Sequence, residues 1–219
     1  VLFKNLRVIK DPVARTAAFN MAFDECLLET IAEPTLRLYR WESDAISFGY
    51  FIRYEVVAAA FPGRELVRRM TGGGIVDHSA DLTYSLIIPS GHALSEAPPR
   101  ESYRAIHAAI ADWLATRGKA SVLSPTPLTK PANVCFEAPA EFDLMDAGRK
   151  IAGAAQRRTR SGLLHQGTVQ MPDVDSLRDE FPNAFSEQLT MIVPGEELIE
   201  ATKKLAAQKY AQPAWLKRV

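Results

Sequence analysis

The chain has 219 residues, of which 47% are hydrophobic and 24% charged, enough apolar material for one sizeable core and too much for a disordered chain. Its 26 basic residues are balanced by 26 acidic ones, so no global field draws it to nucleic acid or an anionic membrane. Two cysteines, Cys26 and Cys135, are too few for a disulfide framework or a cysteine zinc site, and no apolar run approaches the ~20 residues of a spanning helix.

Val1-Leu2-Phe3-Lys4-Asn5-Leu6-Arg7 alternates like a strand and unlike a signal peptide, so a soluble, cytoplasmic protein is expected, with an opening strand in the first ten residues. A helix is predicted to start at Asp11-Pro12 and to run through Ala17 to Glu29, ended by Glu33-Pro34. Cys26 falls on its apolar stripe and reads as a buried, inert thiol. Thr35 to Trp41 and Ala45 to Tyr50 read as the two strands of a hairpin, and Glu55 to Phe61 as a short helix. Strands at 65–70 and 82–88 bracket a glycine block, and a long helix from Pro99 to Arg117 stops at Gly118. His107 sits off the stripe of that helix and receives no chemical role. Residues 119–132, with Pro125, Pro127 and Pro131, read as a loop. Strands at 149–157 and 163–169 form a second hairpin around Arg160-Ser161-Gly162. The remainder, from about 175 to 209, reads as helical with a break at Pro194-Gly195. Strand runs mixed with long helices predict an α+β fold with a mixed, largely antiparallel sheet packed by helices, in a single domain spanning 1–219.

Arg68-Arg69-Met70-Thr71-Gly72-Gly73-Gly74-Ile75-Val76-Asp77-His78 is the most informative stretch, because its glycines lie between strands rather than among the serines of a flexible linker. Without a Cβ such a loop can lay backbone N–H groups against a carboxylate, carbonyl or phosphate. The plainer alternative is a bend between buried strands with Arg68 and Arg69 solvated. His78, beside Asp77, reads as a structural partner of the loop rather than a general base.

A second constellation joins Asn133-Val134-Cys135-Phe136-Glu137 to Gly148-Arg149-Lys150-Ile151-Ala152-Gly153-Ala154-Ala155-Gln156. A neighbouring ammonium favours the thiolate of a cysteine, and a fixed lysine can also face an acyl or phosphate oxygen. Cys135 is either a nucleophile or a small residue turned into the core. Lys150 is either such a cation or a strand-edge lysine snorkelling to water. Arg149, Lys150, Arg157, Arg158 and Arg160 form either a solvated face or a surface for an acidic partner.

In order and spacing, Asn20 to Glu25, Trp41 to Gly49, the glycine block and the lysine block together resemble the biotin/lipoate protein ligase and octanoyltransferase superfamily, over most of the chain. Cys135 to Leu144 followed by Gly148 to Arg157 look most like its cysteine-dependent octanoyltransferases. The resemblance implies the superfamily's catalytic-domain fold without an accessory domain, Cys135 as nucleophile and Lys150 as catalytic cation. It also implies substrate contacts from Arg69, Gly72, Gly73, Gly74, His78, Gly153 and Ala154, and no metal or other cofactor. Acyl carrier protein would then be the donor, and a lipoyl domain of a 2-oxoacid dehydrogenase or the glycine cleavage H protein the acceptor. In a variant of this scheme octanoyl moves between lipoyl domains. Gly74 stands where such transferases usually carry arginine, and His165-Gln166-Gly167 reverses their usual order. The alternative is an ATP-dependent lipoate ligase that uses ATP and Mg and works through lipoyl-AMP with Cys135 idle. The last reading is a module that binds lipoate without chemistry.

Overall fold

The computed structural model describes residues 1–125 and 139–218. In chain order the first half runs through Leu6–Lys10 (β1), Ala17–Thr30 (α1), Thr35–Tyr39 (β2), Ile46–Phe48 (β3), Tyr54–Ala60 (α2), Leu66–Arg68 (β4), Ile75–Asp77 (β5) and Leu82–Pro89 (β6). It continues with Ala93–Glu96 (α3), Pro99–Ala115 (α4), Val122–Leu123 (β7), Leu144–Asp146 (β8), Arg149–Thr159 (β9), Gly162–Val169 (β10), Leu189–Met191 (β11), Glu196–Leu205 (α5) and Pro213–Leu216 (α6).

Among the described residues the strands build an eight-stranded sheet in the order β11-β1-β2-β6-β10-β9-β8-β7 and a three-stranded sheet in the order β4-β3-β5. The large sheet is parallel at β11, β1 and β2 and antiparallel from β2 onward, as the α+β reading with a largely antiparallel sheet expects. Period-two alternation makes both faces apolar. Leu86, Ile88 and Leu163 join Ile106 and Ile110 of α4 in one core, while Ile87 and Leu164 join Phe19, Phe23 and Leu27 of α1 on the other face. No helix among the described residues is long and apolar enough to cross a membrane.

Several expectations are corrected. The helix starts at Ala17 rather than at Asp11, because Thr16 caps it by accepting from Phe19 N at 3.3 Å, and Asp11 is drawn away to accept from Arg37. Strands β2 and β3 do not form a hairpin. The turn after Trp41 carries β3 out of the large sheet to pair with β4 and β5. The segment after 175 is not helical throughout: β11 pairs with β1, which needs a partner along its outer edge. Val122–Leu123 is a short strand within the expected loop. Cys26 is half-buried, its thiol pushed up by burial. His107 is fully buried against Phe142 O, 2.6 Å from Nδ1, and burial lowers its pKa to about 4.

Candidate functional site

Hydrogen bonds between opposed strands fix which side chains share a face. Gly153 of β9 lies opposite Thr168 of β10, Thr168 opposite Thr83 of β6, and Thr83 opposite Tyr39 of β2. These four residues line a cleft of about 510 Å³, part of it open to solvent, between the large sheet and the small one. Ser47, Val76 and His78 close it from the small sheet, Met21 and Trp41 from the side of α1, and Gly73 and Gly74 from the glycine loop. The row crosses three interstrand gaps, a span of about 14 Å.

The glycine loop is held by side chains that point inward. Arg68 and Arg69, which the plainer alternative left solvated, are both buried. Arg69 donates from Nη2 to Gly72 O at 3.0 Å and Gly74 O at 2.7 Å, and from Nη1 to Ser47 Oγ at 2.7 Å. Arg68 donates to the carbonyls of Tyr50 and Ile52 and to those of Leu216 and Arg218, clamping α6 beneath the loop. Gly73 has φ +78°, a conformation a side chain resists. Gly49 is required for a different reason, since a Cβ there would stand 2.0 Å from Gly73 O. No rotamer relieves a clash between a Cβ and a backbone oxygen. Gly49→Ala is therefore expected to destabilise the protein by roughly 1–3 kcal/mol and to weaken binding in the cleft. Calorimetric titration with an octanoyl ligand, beside a melting curve, checks both, and wild-type behaviour in both would refute the clash.

His78 is paired with Asp81 and not with Asp77, which instead accepts from Arg64. Nδ1 stands 2.7 Å from Asp81 Oδ2, a carboxylate oxygen to which it donates, and Nε2 lies 2.7 Å from Ser47 Oγ. The ring stacks on Trp41 with centroids 4.0 Å apart. Asp81 also accepts from Thr83 and Thr168. Burial opposes the Asp81 charge, but His78 and these hydrogen bonds outweigh it and hold the carboxyl below its usual range. With their donors spent on Asp81, Thr83 and Thr168 meet the cleft as hydroxyls already satisfied. Gln166, another lining residue, donates to Asp24 at 2.8 Å and accepts from Thr71 Oγ1 at 2.7 Å.

At the other end of the row stands Lys150, paired with Asp143 Oδ2 at 2.8 Å, with side chains 8% and 1% exposed respectively. A Cβ on Gly153 would lie 2.4 Å from Lys150 Cε and 2.5 Å from Nζ, so the ammonium rests in the space that glycine leaves. Tyr103 Oη of α4 donates to Asp143 Oδ1 at 2.5 Å and accepts from Ala154 N at 3.0 Å. Burial, and then the Asp143 carboxylate, hold that hydroxyl protonated well above its usual range. Of the basic cluster, Arg149, Arg157 and Arg160 are exposed, whereas Lys150 pairs with Asp143 and Arg158 turns inward to Ala97 O and Ser102 Oγ.

Of the residues singled out in the sequence, Arg69, Gly73, Gly74, His78, Lys150, Gly153 and Ala154 line this one cleft. Gly72 turns its carbonyl to Arg69, and the Ala154 N–H is spent on Tyr103. Cys135 lies outside the described residues. Ser47, Thr83, Thr168, Asp143 and Tyr103 were missed. Asp143 carried a signal, standing across the tight turn 146–148 from Lys150. Tyr103 carried none, being one apolar-stripe residue of a long helix.

Comparison with known proteins matches residues 16–192 to the lipoyl protein ligase A/B catalytic domain. The chain is 35% identical over 212 residues to octanoyltransferase LipM of Bacillus anthracis, covering 88% of this chain and 72% of that protein. It is 36% identical over 189 residues to octanoyltransferase LipM of Staphylococcus aureus, covering 78% and 67%. Among solved structures, lipoate-protein ligase A bound with ATP superposes with a TM-score of 0.75 at 20% identity over 99% of both chains. The bi-partite lipoate protein ligase from Thermoplasma acidophilum, solved with its E2 lipoyl domain, gives 0.68 at 21% identity over 99% of this chain and 97% of that one. At that identity the structures speak for the fold.

Proposed function

This chain belongs to the lipoyl protein ligase A/B catalytic-domain family, and from that premise we propose that it is an octanoyltransferase acting through a thioester on Cys135. The cleft that starts at Lys150 and crosses the sheet to Tyr39 carries this reading. With C–C bonds of ~1.5 Å at tetrahedral angles, an extended octanoyl chain is about 9 Å long, so it fits within the row with its carbonyl beside Lys150. Each methylene buried there contributes ~0.8 kcal/mol, which makes the cleft a gauge of chain length.

In the first step the Cys135 thiolate attacks the thioester carbonyl of octanoyl acyl carrier protein. The new C–S bond forms as the bond to the carrier sulfur breaks, and the carrier thiolate takes up the proton that Cys135 released. In the second, the neutral amine of a lipoyl-domain lysine attacks the acyl-enzyme, loses a proton and returns Cys135 as thiolate. Both pass through an oxyanion, and Lys150 with N–H groups near Gly73 or Gly153 supplies its stabilisation. Lipoyl domains of 2-oxoacid dehydrogenases or the glycine cleavage H protein accept the group, and a second lipoyl domain serves equally as donor. The reaction runs in the cytoplasm without ATP or metal.

Intact mass spectrometry after mixing the protein with octanoyl acyl carrier protein, without ATP, tests the scheme. An octanoyl adduct that hydroxylamine removes and that Cys135→Ala lacks is expected. No adduct, together with lipoate-dependent ATP cleavage that survives Cys135→Ala, would replace transferase by ligase.

A further inference from the structure

The lysine at the head of the cleft is a long, flexible side chain whose four-carbon stem has many rotamers open to it. An oxyanion stabiliser works only if its charge is in place before the reaction begins. Here three elements converge on it. Asp143, just before β8, pairs with Nζ at 2.8 Å. Asp143 is in turn fixed at both oxygens, Oδ1 accepting from Tyr103 Oη at 2.5 Å and Oδ2 from Ala140 N at 2.6 Å. Tyr103 reaches across from α4 and at the same time accepts the Ala154 N–H at 3.0 Å, which ties the backbone of β9 to the same carboxylate. The empty side of Gly153 completes the seat, since a Cβ there would stand 3.1 Å from Asp143 Oδ1 as well as on the lysine. A strand-edge lysine snorkelling to water needs none of this.

We propose that Asp143 and Tyr103 are positioning residues that seat the Lys150 ammonium over Gly153, and so set the rate of acyl transfer without touching the substrate. The inference rests on the role given to Lys150 above and adds to it the carboxylate and hydroxyl through which α4 controls that role. A second function of the pair follows from its place. Asp143 also keeps a buried ammonium from being stranded without a counter-charge when the cleft is empty.

A double-mutant cycle under conditions where every variant is folded separates positioning from mere structure. The rate of Cys135 octanoylation is measured in single turnover for wild type, Asp143→Asn, Lys150→Ala and the pair, with Asp143→Glu and Tyr103→Phe alongside. A misplacement of about 1 Å can cost up to ~100-fold in rate, and Asp143→Asn is expected to slow acylation at least roughly tenfold with KM changed less than about threefold. Added to Lys150→Ala it changes the rate less than about twofold, because the group it positions is gone. Asp143→Glu recovers part of the rate, and Tyr103→Phe loses part of it. Equal losses from Asp143→Asn in the presence and absence of Lys150, or a loss confined to KM, would overturn the proposal. If Asp143→Asn does not fold, Tyr103→Phe takes its place in the cycle with the same criterion. Absence of any adduct in the wild type would instead overturn the thioester reading, an outcome distinct from an additive cycle.

Discussion

Replacing Lys150 with alanine is expected to slow octanoyl transfer by about 10²–10³-fold, the cost of removing one preorganised oxyanion donor from a water-poor site. The ammonium is 8% exposed and lies at the head of the cleft. Its charge there is worth more than in water, because little solvent intervenes. Stability falls as well, since Asp143 is left in place with its cation removed. Breaking a buried pair costs ~3–5 kcal/mol in general, and the loss here falls at the lower end because Tyr103 and Ala140 N still donate to the carboxylate. The two effects are separable by measuring thioester formation well below the melting temperature of the variant. A drop in rate of less than about tenfold, with the same loss of stability, would make Lys150 a structural counter-ion and nothing more.

Arg37→Met is expected to be the most destabilising single replacement in the core, at about 3–5 kcal/mol out of the ~5–15 kcal/mol typical of a domain. The Arg37 side chain is wholly buried, donates to Asp24 Oδ1 at 2.8 Å and to Asp11 Oδ2 at 2.5 Å, and lies 4.1 Å and 4.3 Å from the rings of Tyr39 and Phe23. Methionine fills much of the same space but leaves two carboxylates without their cation. The damage reaches the cleft, because Asp24 also accepts from Gln166, and Gln166 accepts from Thr71 at the edge of the glycine loop. Denaturant unfolding should show the midpoint falling with an unchanged slope, and octanoyl binding by the still-folded variant should weaken. A loss below about 1 kcal/mol would mean that water reaches both carboxylates in the variant.

Both replacements act on features that differ in how visible they were beforehand. Lys150 stood out because it lies between two glycines in an apolar strand. Arg37, by contrast, alternates with Leu36 and Leu38 along its strand, a pattern that places it only on the face opposite theirs. It is buried because the large sheet is covered on both faces, and on this face Asp24 of α1 and Asp11 after β1 meet the guanidinium. Alternation assigns residues to opposite faces of a strand; it does not say that one of the faces meets water.

The same limit explains the other differences. Hairpin signals are local, and the turn after Trp41 had the polarity of one. Whether the next strand folds back or leaves for another sheet is decided by partners far along the chain, here β4 and β5. Parallel pairing of β1 with β11 joins residues more than 180 positions apart, Leu6 with Leu189 for example, and no spacing rule reaches that far. Likewise Asp77 was adjacent to His78 and therefore the obvious partner, yet neighbouring residues of an extended backbone, here the end of β5 and the residue after it, face opposite ways. Asp81 reaches the ring and Asp77 reaches Arg64.

By itself, the sequence determined the mixed class of the fold, the two segments that meet at the cleft and the family they mark, because glycine runs, strand alternation and a lysine enclosed by small residues are local patterns. Tertiary structure alone decided which groups those segments face: Arg69 spent on its own loop, His78 on Asp81, and Lys150 seated by Asp143 and Tyr103. The reason is physical. Composition and spacing determine what a residue can do, whereas burial determines which single partner it must find, and that partner is chosen by packing across the whole chain.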